Sequence, residues 1–283
     1  ENVILATGGY GASDTLLSDE LASALYYGPS TSTGDGVIMA TADGINAATR
    51  LMEYGKRYPN GVEVSKGIAK STIAGNITGW TMSAILVNAE GERVVNEKAS
   101  NRTILEAELA QTGSELFLLM DSETFNVWKT KLAAAGLTEE TIDGYVAANG
   151  TTAPVFAHGD TLEEVAAAAG VNGENLVKTV ERYNGFVAAG NDEDFGRSAD
   201  YMTMAIGDGP YYLVDQKPRF ATTMGGLVVN TSLQVENTDG NVIPGLYAAG
   251  EVVGGVMGDD SPSGANNGWA LTAGKLAAEA IAE

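Results

Sequence analysis

The sequence predicts a loop-rich α/β protein with room for one large or two ordinary domains. Hydrophobic residues make up 44% of its 283 positions and glycine fills 36 of them, which suits a packed globular chain and not a disordered one. Residues 245–255, GLYAAGEVVGG, read as a short apolar strand that turns through Ala-Gly-Glu and a glycine pair, followed by a small-residue helix over about 264–282. Glycines let backbone amides approach a ligand without a Cβ in the way, and a helix start offers unpaired N–H groups and positive potential. That combination suits a cofactor with phosphates and a flat ring; an ordinary strand-to-helix turn in an α/β core accounts for it equally.

Charge and composition narrow the partners. A net charge of −21 argues against nucleic acid and against anionic membrane surfaces, which most of this surface would repel. With no cysteine, disulfides, iron–sulfur ligation and covalent haem attachment are excluded within these residues, and a single histidine argues against a multi-histidine metal site. No apolar run approaches the ~18 residues a membrane helix needs, so no membrane insertion is expected. The composition suits a soluble protein and leaves a bacterial extracytoplasmic or cytoplasmic location open.

Upstream of the glycine turn lie Thr223-Met224-Gly225-Gly226-Leu227-Val228-Val229-Asn230 and Asn237-Thr238-Asp239-Gly240-Asn241-Val242-Ile243-Pro244. This order, closing on Gly-Leu-Tyr-Ala-Ala-Gly-Glu, resembles the flavoprotein subunit of the fumarate reductase and succinate dehydrogenase family, above all its soluble flavocytochrome c branch. The resemblance covers nearly the whole chain. It implies an α/β FAD-binding domain, discontinuous and partial, over 1–52 and 222–283, with an inserted α+β clamp domain over 53–221.

At the N-terminus, Glu1-Asn2-Val3-Ile4-Leu5-Ala6-Thr7-Gly8-Gly9 begins on a buried-strand pattern, and the similar family strand places Thr7, Gly8 and Gly9 beside FAD. In the family that strand follows a Gly-x-Gly-x-x-Gly fingerprint and a ribose-binding acid, neither of which is present, so a fragment of a longer flavoprotein is expected. Residues 14–25 read as a short helix. The apolar spacing from Val37 to Ala48 reads as another, and Asp35 before it fits an N-cap as well as the cofactor-side role that a similar family Thr-Gly-Asp-Gly implies.

The stretch Glu53-Tyr54-Gly55-Lys56-Arg57-Tyr58-Pro59 is similar to a family run ending in His-Pro, whose histidine binds a substrate carboxylate. Tyr58 stands there, either as a hydrogen-bond donor and acid or as a packing residue. Residues 81–97 read as a hairpin turning at Ala89-Glu90-Gly91-Glu92, and Gly-x-Arg-(apolar)₂-Asn-Glu at 91–97 is a family signature. The loop that follows carries the family's proton-donating arginine, which makes Arg102 the candidate acid; a solvated or salt-bridged surface arginine is the plainer role, and Asn101 takes the position if no insertion is allowed. Where the family relays protons through a glutamate and an arginine, Ile77 and Trp80 stand; Trp80 offers a flat wall to a ring-bearing substrate or packs in a core.

Helical spacing and caps predict helices over 122–135, 138–148, 162–169 and 173–189, with His158 as a surface or loop residue. Two family histidines before Thr-Met-Gly-Gly are replaced by Ala221 and Thr222, and the arginine that clamps a second carboxylate by Ser261, which lacks guanidinium geometry. On the flavin side, the resemblance implies cofactor contacts at Gly225, Gly250, Glu251, Gly264, Asn266 and Asn267.

The implied reaction is FAD-dependent reduction of an activated C=C bond in an enoate or enone other than fumarate. Hydride comes from flavin N5 and a proton from Arg102 or Tyr58, with Trp80, Thr222 and Ser261 at the substrate. A small-molecule alkene and an electron-donor protein, or an upstream haem or FMN domain, are the implied partners. The alternatives are a ketosteroid-type flavin dehydrogenase or reductase, or a non-catalytic fragment without flavin.

Overall fold

A computed structural model describes residues 1–282. Contacts divide the chain into two units, Glu1–Arg57 with the chain from Phe220 onward, and Tyr58–Arg219. The boundaries fall inside two long strands, Gly55–Ser65 and Tyr211–Thr223.

In the first unit, Val3–Leu5 runs parallel to Val242–Ala248, with Val3 opposite Leu246, and Gln234–Glu236 pairs antiparallel on the other side. The sequence pattern predicts a buried strand at 3–5. The strand forms, but Val3 and Ile4 are 54% and 38% exposed, because it is an edge strand that nothing described covers. Helix Asp35–Thr41 buries Gly36, Val37 and Ala40 in a core with Leu227, Ala248 and Val252. It stops short of the expected Ala48 because Ala42 is extended and Gly44 and Asn46 take positive φ. The N-cap is Gly34, at φ +81°, so Asp35 is the first helical residue and an exposed one, not the cap. The helix expected over 14–25 is one turn, Asp19–Ala22, capped by the Ser18 side chain. Helix Ala265–Ala282 closes the unit, burying Ala273 and Ala277.

In the second unit, Leu116–Asp121 lies antiparallel between Ile85–Val87 and Tyr211–Thr223, and Phe156–Gly159 pairs on the far side of the latter. Successive strand side chains point to opposite faces. Leu116, Leu118 and Met120 therefore join one core, with Phe125, Trp128 and Ile142, while Phe117 and Leu119 join another, with Val165, Leu176 and Tyr183. With a core on each face, the strand has no polar side and reads as a continuous apolar run.

The helices around this sheet are Ser122–Lys129, Glu139–Ala148, Leu162–Ala169 and Gly173–Ala189. The first is shorter than its pattern predicts and resumes only as a 3-10 turn, Ala133–Ala135, before Gly136 at φ +79°. Thr161 and Glu164 form a capping box. His158 lies within a strand opposite Tyr212 and is half-buried, not in a surface loop.

The expected hairpin at 81–97 turns at Gly91, φ +76°, but its return arm pairs only at Arg93 with Val87. Arg93 is drawn instead into a buried ion cluster. Its guanidinium donates to Glu97 (3.0 and 2.9 Å) and Asp192 (3.3 and 3.1 Å), while Arg197 donates to Glu97 (3.2 Å) and to the carbonyls of Ala84 and Trp80. Breaking a buried pair leaves an uncompensated charge, so Glu97→Gln is expected to cost about 3–5 kcal/mol, read from urea unfolding. A loss below about 1 kcal/mol would remove this cluster from the unit's supports.

Asp215 is fully buried with neither carboxyl oxygen hydrogen-bonded by protein. Burial pushes its pKa up to about 7, with Lys217 opposing and Glu115 adding to the rise. The native state thus holds this proton more tightly than the unfolded chain does, so the contribution is present at low pH and lost as pH rises through about 7. Asp215→Asn is accordingly expected to raise the Tm at pH 8 and to change it little at pH 4.

Candidate cofactor site

The site grows from the end of strand Val242–Ala248. Ala249 donates its N–H to the Leu5 carbonyl at 2.9 Å, which ties the turn to the first strand, and Gly250 takes φ +81° to open a 3-10 turn, Gly250–Val252. This directs Glu251 onto Thr223, whose backbone N–H and hydroxyl donate to Glu251 Oε1 at 2.8 and 3.0 Å. Burial raises the Glu251 carboxyl above the ordinary carboxylate range, and the two bonds from Thr223 oppose that rise. A Cβ on Gly9 would sit 2.2 Å from Glu251 Oε1 and 2.3 Å from Thr223 Oγ1, so only glycine fits. Tyr10 donates its N–H to Thr223 Oγ1 (3.3 Å) and its hydroxyl to the Met52 carbonyl (2.9 Å). Thr7 packs on Gly36, beside the helix start at Asp35.

Thr222, Gly250, Glu251, Asn266, Asn267 and Trp269 are among the residues around a cleft of about 150 Å³. Trp269 Nε1 donates to the Gly250 carbonyl at 3.1 Å, which fixes the C-terminal helix to the turn. Gly264, at φ +81°, precedes the helix start and has no neighbour within 4 Å of a Cβ position. No lysine or arginine lines the cleft. Its chemistry is an acceptor carboxylate, two side-chain amides and helix N–H groups, which matches the hydroxyls of a polyol chain and the polar edge of a flat ring. Pockets for drug-sized ligands run about 300–1,000 Å³, so this cleft has room for only part of a dinucleotide.

Gly225 is not part of that wall. It is buried, and a Cβ there would meet the Leu51 carbonyl at 2.4 Å and the Tyr10 hydroxyl at 2.5 Å. Its glycine serves packing of chain on chain, which a Gly-Gly run cannot distinguish from a ligand approach.

Ser261 is buried, and Lys56 donates to its carbonyl and, at 3.0 Å, to its hydroxyl, with Asp260 Oδ1 4.0 Å away. The sequence places no cation at Ser261; the fold brings one there from 205 residues away in the chain. The local sequence, a lysine two positions from a tyrosine on either side, does not signal this contact.

The remaining candidates lie in the second unit. Tyr58 is half-buried, with the Arg219 guanidinium 5.1 Å from its ring centre. Trp80 is 4% exposed within the apolar core, so it presents no open wall to a ligand: its ring packs among side chains such as Ile104 and Trp128. Arg102 lies on the exposed first turn of helix Asn101–Leu109, paired with Glu106 at 3.1 Å, which is the plainer of its two expected roles.

A strand-end glycine, a half-buried glutamate and a helix start that frame a cleft without cations define a flavin-type cofactor-binding unit. The chain belongs to the FAD binding domain family, which matches residues 1–267, and FAD is its cofactor. It is 33% identical over 285 residues to a fumarate reductase (cytochrome) of Shewanella frigidimarina, covering 99% of this chain and 45% of that protein. It is 32% identical over 263 residues to a urocanate reductase of Eggerthella lenta, covering 90% of this chain and 40% of that protein. The open conformation of a flavocytochrome c3 fumarate reductase superposes with a TM-score of 0.72 at 31% identity, over 99% of this chain and 46% of that one. The chain thus spans less than half the length of these relatives. No helix among the described residues is long and apolar enough to cross a membrane.

Gly9→Ala drives a methyl into the Glu251–Thr223 contact and is expected to lower FAD affinity on the order of tenfold or more, about 1.4 kcal/mol. The check is bound FAD per protein, from visible absorbance after dialysis; full retention would detach Glu251 from the cofactor.

Proposed function

We propose that the protein reduces the activated C=C bond of an enoate with one carboxylate, and that fumarate is not its substrate. The observation that carries this reading is the buried Lys56 ammonium held on Ser261. A lysine supplies a single point charge without the bidentate fork of arginine, and Thr222 adds no charge. One carboxylate is met and a second is not.

Bound FAD, once reduced, supplies the hydride. The protein's part is to orient the alkene and hold the proton. We assign the proton to the Tyr58 hydroxyl, since Arg102 lies on an exposed surface in an ion pair with Glu106. Residues 58–219 take the role of a clamp domain, and electrons come from a donor protein or a haem or FMN module. The similarity to fumarate and urocanate reductases supports the C=C chemistry.

Anaerobic reoxidation of the dithionite-reduced, FAD-loaded protein tests this against fumarate, a cinnamate-like enoate and a 3-ketosteroid. The enoate is expected to reoxidise it and fumarate is not, and Lys56→Met is expected to raise the enoate KM by at least about tenfold, the worth of a hydrogen bond to a charged group. Rapid reoxidation by fumarate would refute the single-carboxylate reading, and reoxidation by the steroid alone would move the protein to ketosteroid chemistry.

A further inference from the structure

Helix Asn101–Leu109 carries Arg102 on its exposed side and Glu108 on its buried side. Glu108 is 0% exposed, and neither carboxyl oxygen has a protein hydrogen-bond partner. It lines a closed pocket with Asn60, Asn76, Trp80, Ile104 and Gln216. The gap between these walls is too thin to seat a water-sized sphere. Two donors in the same walls, Asn60 Nδ2 and Trp80 Nε1, also lack protein partners. A carboxyl and two donors thus share one pocket without using each other.

A buried carboxylate with nothing to pair with is too costly, and such a group stays protonated. Burial pushes Glu108 well above the ordinary range, Glu115 adds to the rise, and Arg219 opposes it. Glu115 is itself near Lys217, which also faces Glu63 and Asp215. Arg219 is therefore the cation that the ionised form of Glu108 would attract.

Arg219 already has a position. Its Nε donates to the Asn60 carbonyl at 3.2 Å and its terminal nitrogen to Asn60 Oδ1 at 3.3 Å, while its guanidinium lies over the Tyr58 ring. Asn60 is held in turn by Thr72, whose N–H and hydroxyl both donate to its carbonyl at 3.1 Å, and it sits at φ +67°. A cation over a phenol ring favours the negative charge the ring acquires when it gives up a proton.

We propose that Glu108 is a positioning residue for Tyr58: its neutral carboxyl leaves Arg219 on Asn60 and over the tyrosine ring, and its ionisation draws Arg219 away. The ionised carboxylate accepts from Arg219, Asn60 Nδ2 and Trp80 Nε1, and the proton it loses goes to solvent. In turnover the Tyr58 hydroxyl gives its proton to the substrate carbon and regains one from solvent, while Arg219 stabilises the intervening phenolate. The functional part rests on the assignment of Tyr58 above; the link between Glu108 and Arg219 does not.

The test uses the FAD-loaded protein and its Glu108→Gln and Trp80→Phe variants. Glutamine keeps the size of the neutral acid and cannot ionise. In the wild type, a protonated-carboxyl infrared C=O band additional to that of Asp215, and assigned by its loss in Glu108→Gln, is expected at neutral pH. On raising the pH that band disappears as tryptophan fluorescence changes, and enoate kcat falls by about tenfold with the same midpoint, roughly the worth of a cation–π contact. The fluorescence change is expected to be missing in both variants, and the band and the alkaline fall in kcat to be missing in Glu108→Gln. An unchanged alkaline transition in Glu108→Gln, or no such band at neutral pH in the wild type, would overturn the proposal. If the band and fluorescence transition behave as expected while Tyr58→Phe leaves kcat unaltered, the coupling stands and the assignment of Tyr58 as proton donor fails.

Discussion

The first unit depends on one carboxylate. Glu251 accepts both the N–H and the hydroxyl of Thr223 and leaves no space for a side chain on Gly9, so three segments distant in sequence meet around one charge. Hydrogen bonds to a charged group are worth about 1.5–3 kcal/mol each, enough to offset much of the burial that pushes this carboxyl upward. Because Thr223 and not a cation satisfies it, the carboxylate retains acceptor capacity on its cleft side. An acidic wall of this kind suits the hydroxyls and ring edge of a cofactor better than its phosphates.

The second unit handles buried charge in two opposite ways. Glu97 and Asp192 lie against Arg93 and Arg197, so each of these buried groups faces one of opposite sign. Glu108 and Asp215 have no hydrogen-bonded protein partner, and burial pushes both toward the protonated form instead. The family signature at 91–97 belongs to the first kind. Its arginine and glutamate pair with each other and with Asp192 and Arg197 inside the unit, so a short motif that marks a flavoenzyme can do so through its architecture.

What was legible in the sequence follows from the range of the interactions. Helices Leu162–Ala169 and Gly173–Ala189 are set by local periodicity and by caps at Thr161 and Asn172, and their limits coincide with the pattern. The Gly250–Glu251 turn was legible because positive φ beside an acidic residue is a local requirement. Trp80 was not, since the choice between core and ligand depends on neighbours supplied by other elements. Gly225 and Gly250 look alike as letters, yet a backbone carbonyl crowds the Cβ position of one at 2.4 Å, while that of the other meets only the Ala270 methyl at an ordinary 3.7 Å. Lys56 was hidden because its partner lies 205 residues away.

That last contact changes the chemical meaning of the substitution at Ser261. Judged by position alone, serine in place of arginine removes a positive charge and points to an uncharged substrate. With Lys56 delivered to the same spot, the charge remains and only its geometry changes. An ammonium lacks the planar fork that grips a carboxylate at two points, so it gives attraction with less orientation. On the proposed single-carboxylate reading, orientation would then come from the ring or chain of the substrate, as in an enoate with a substantial apolar part.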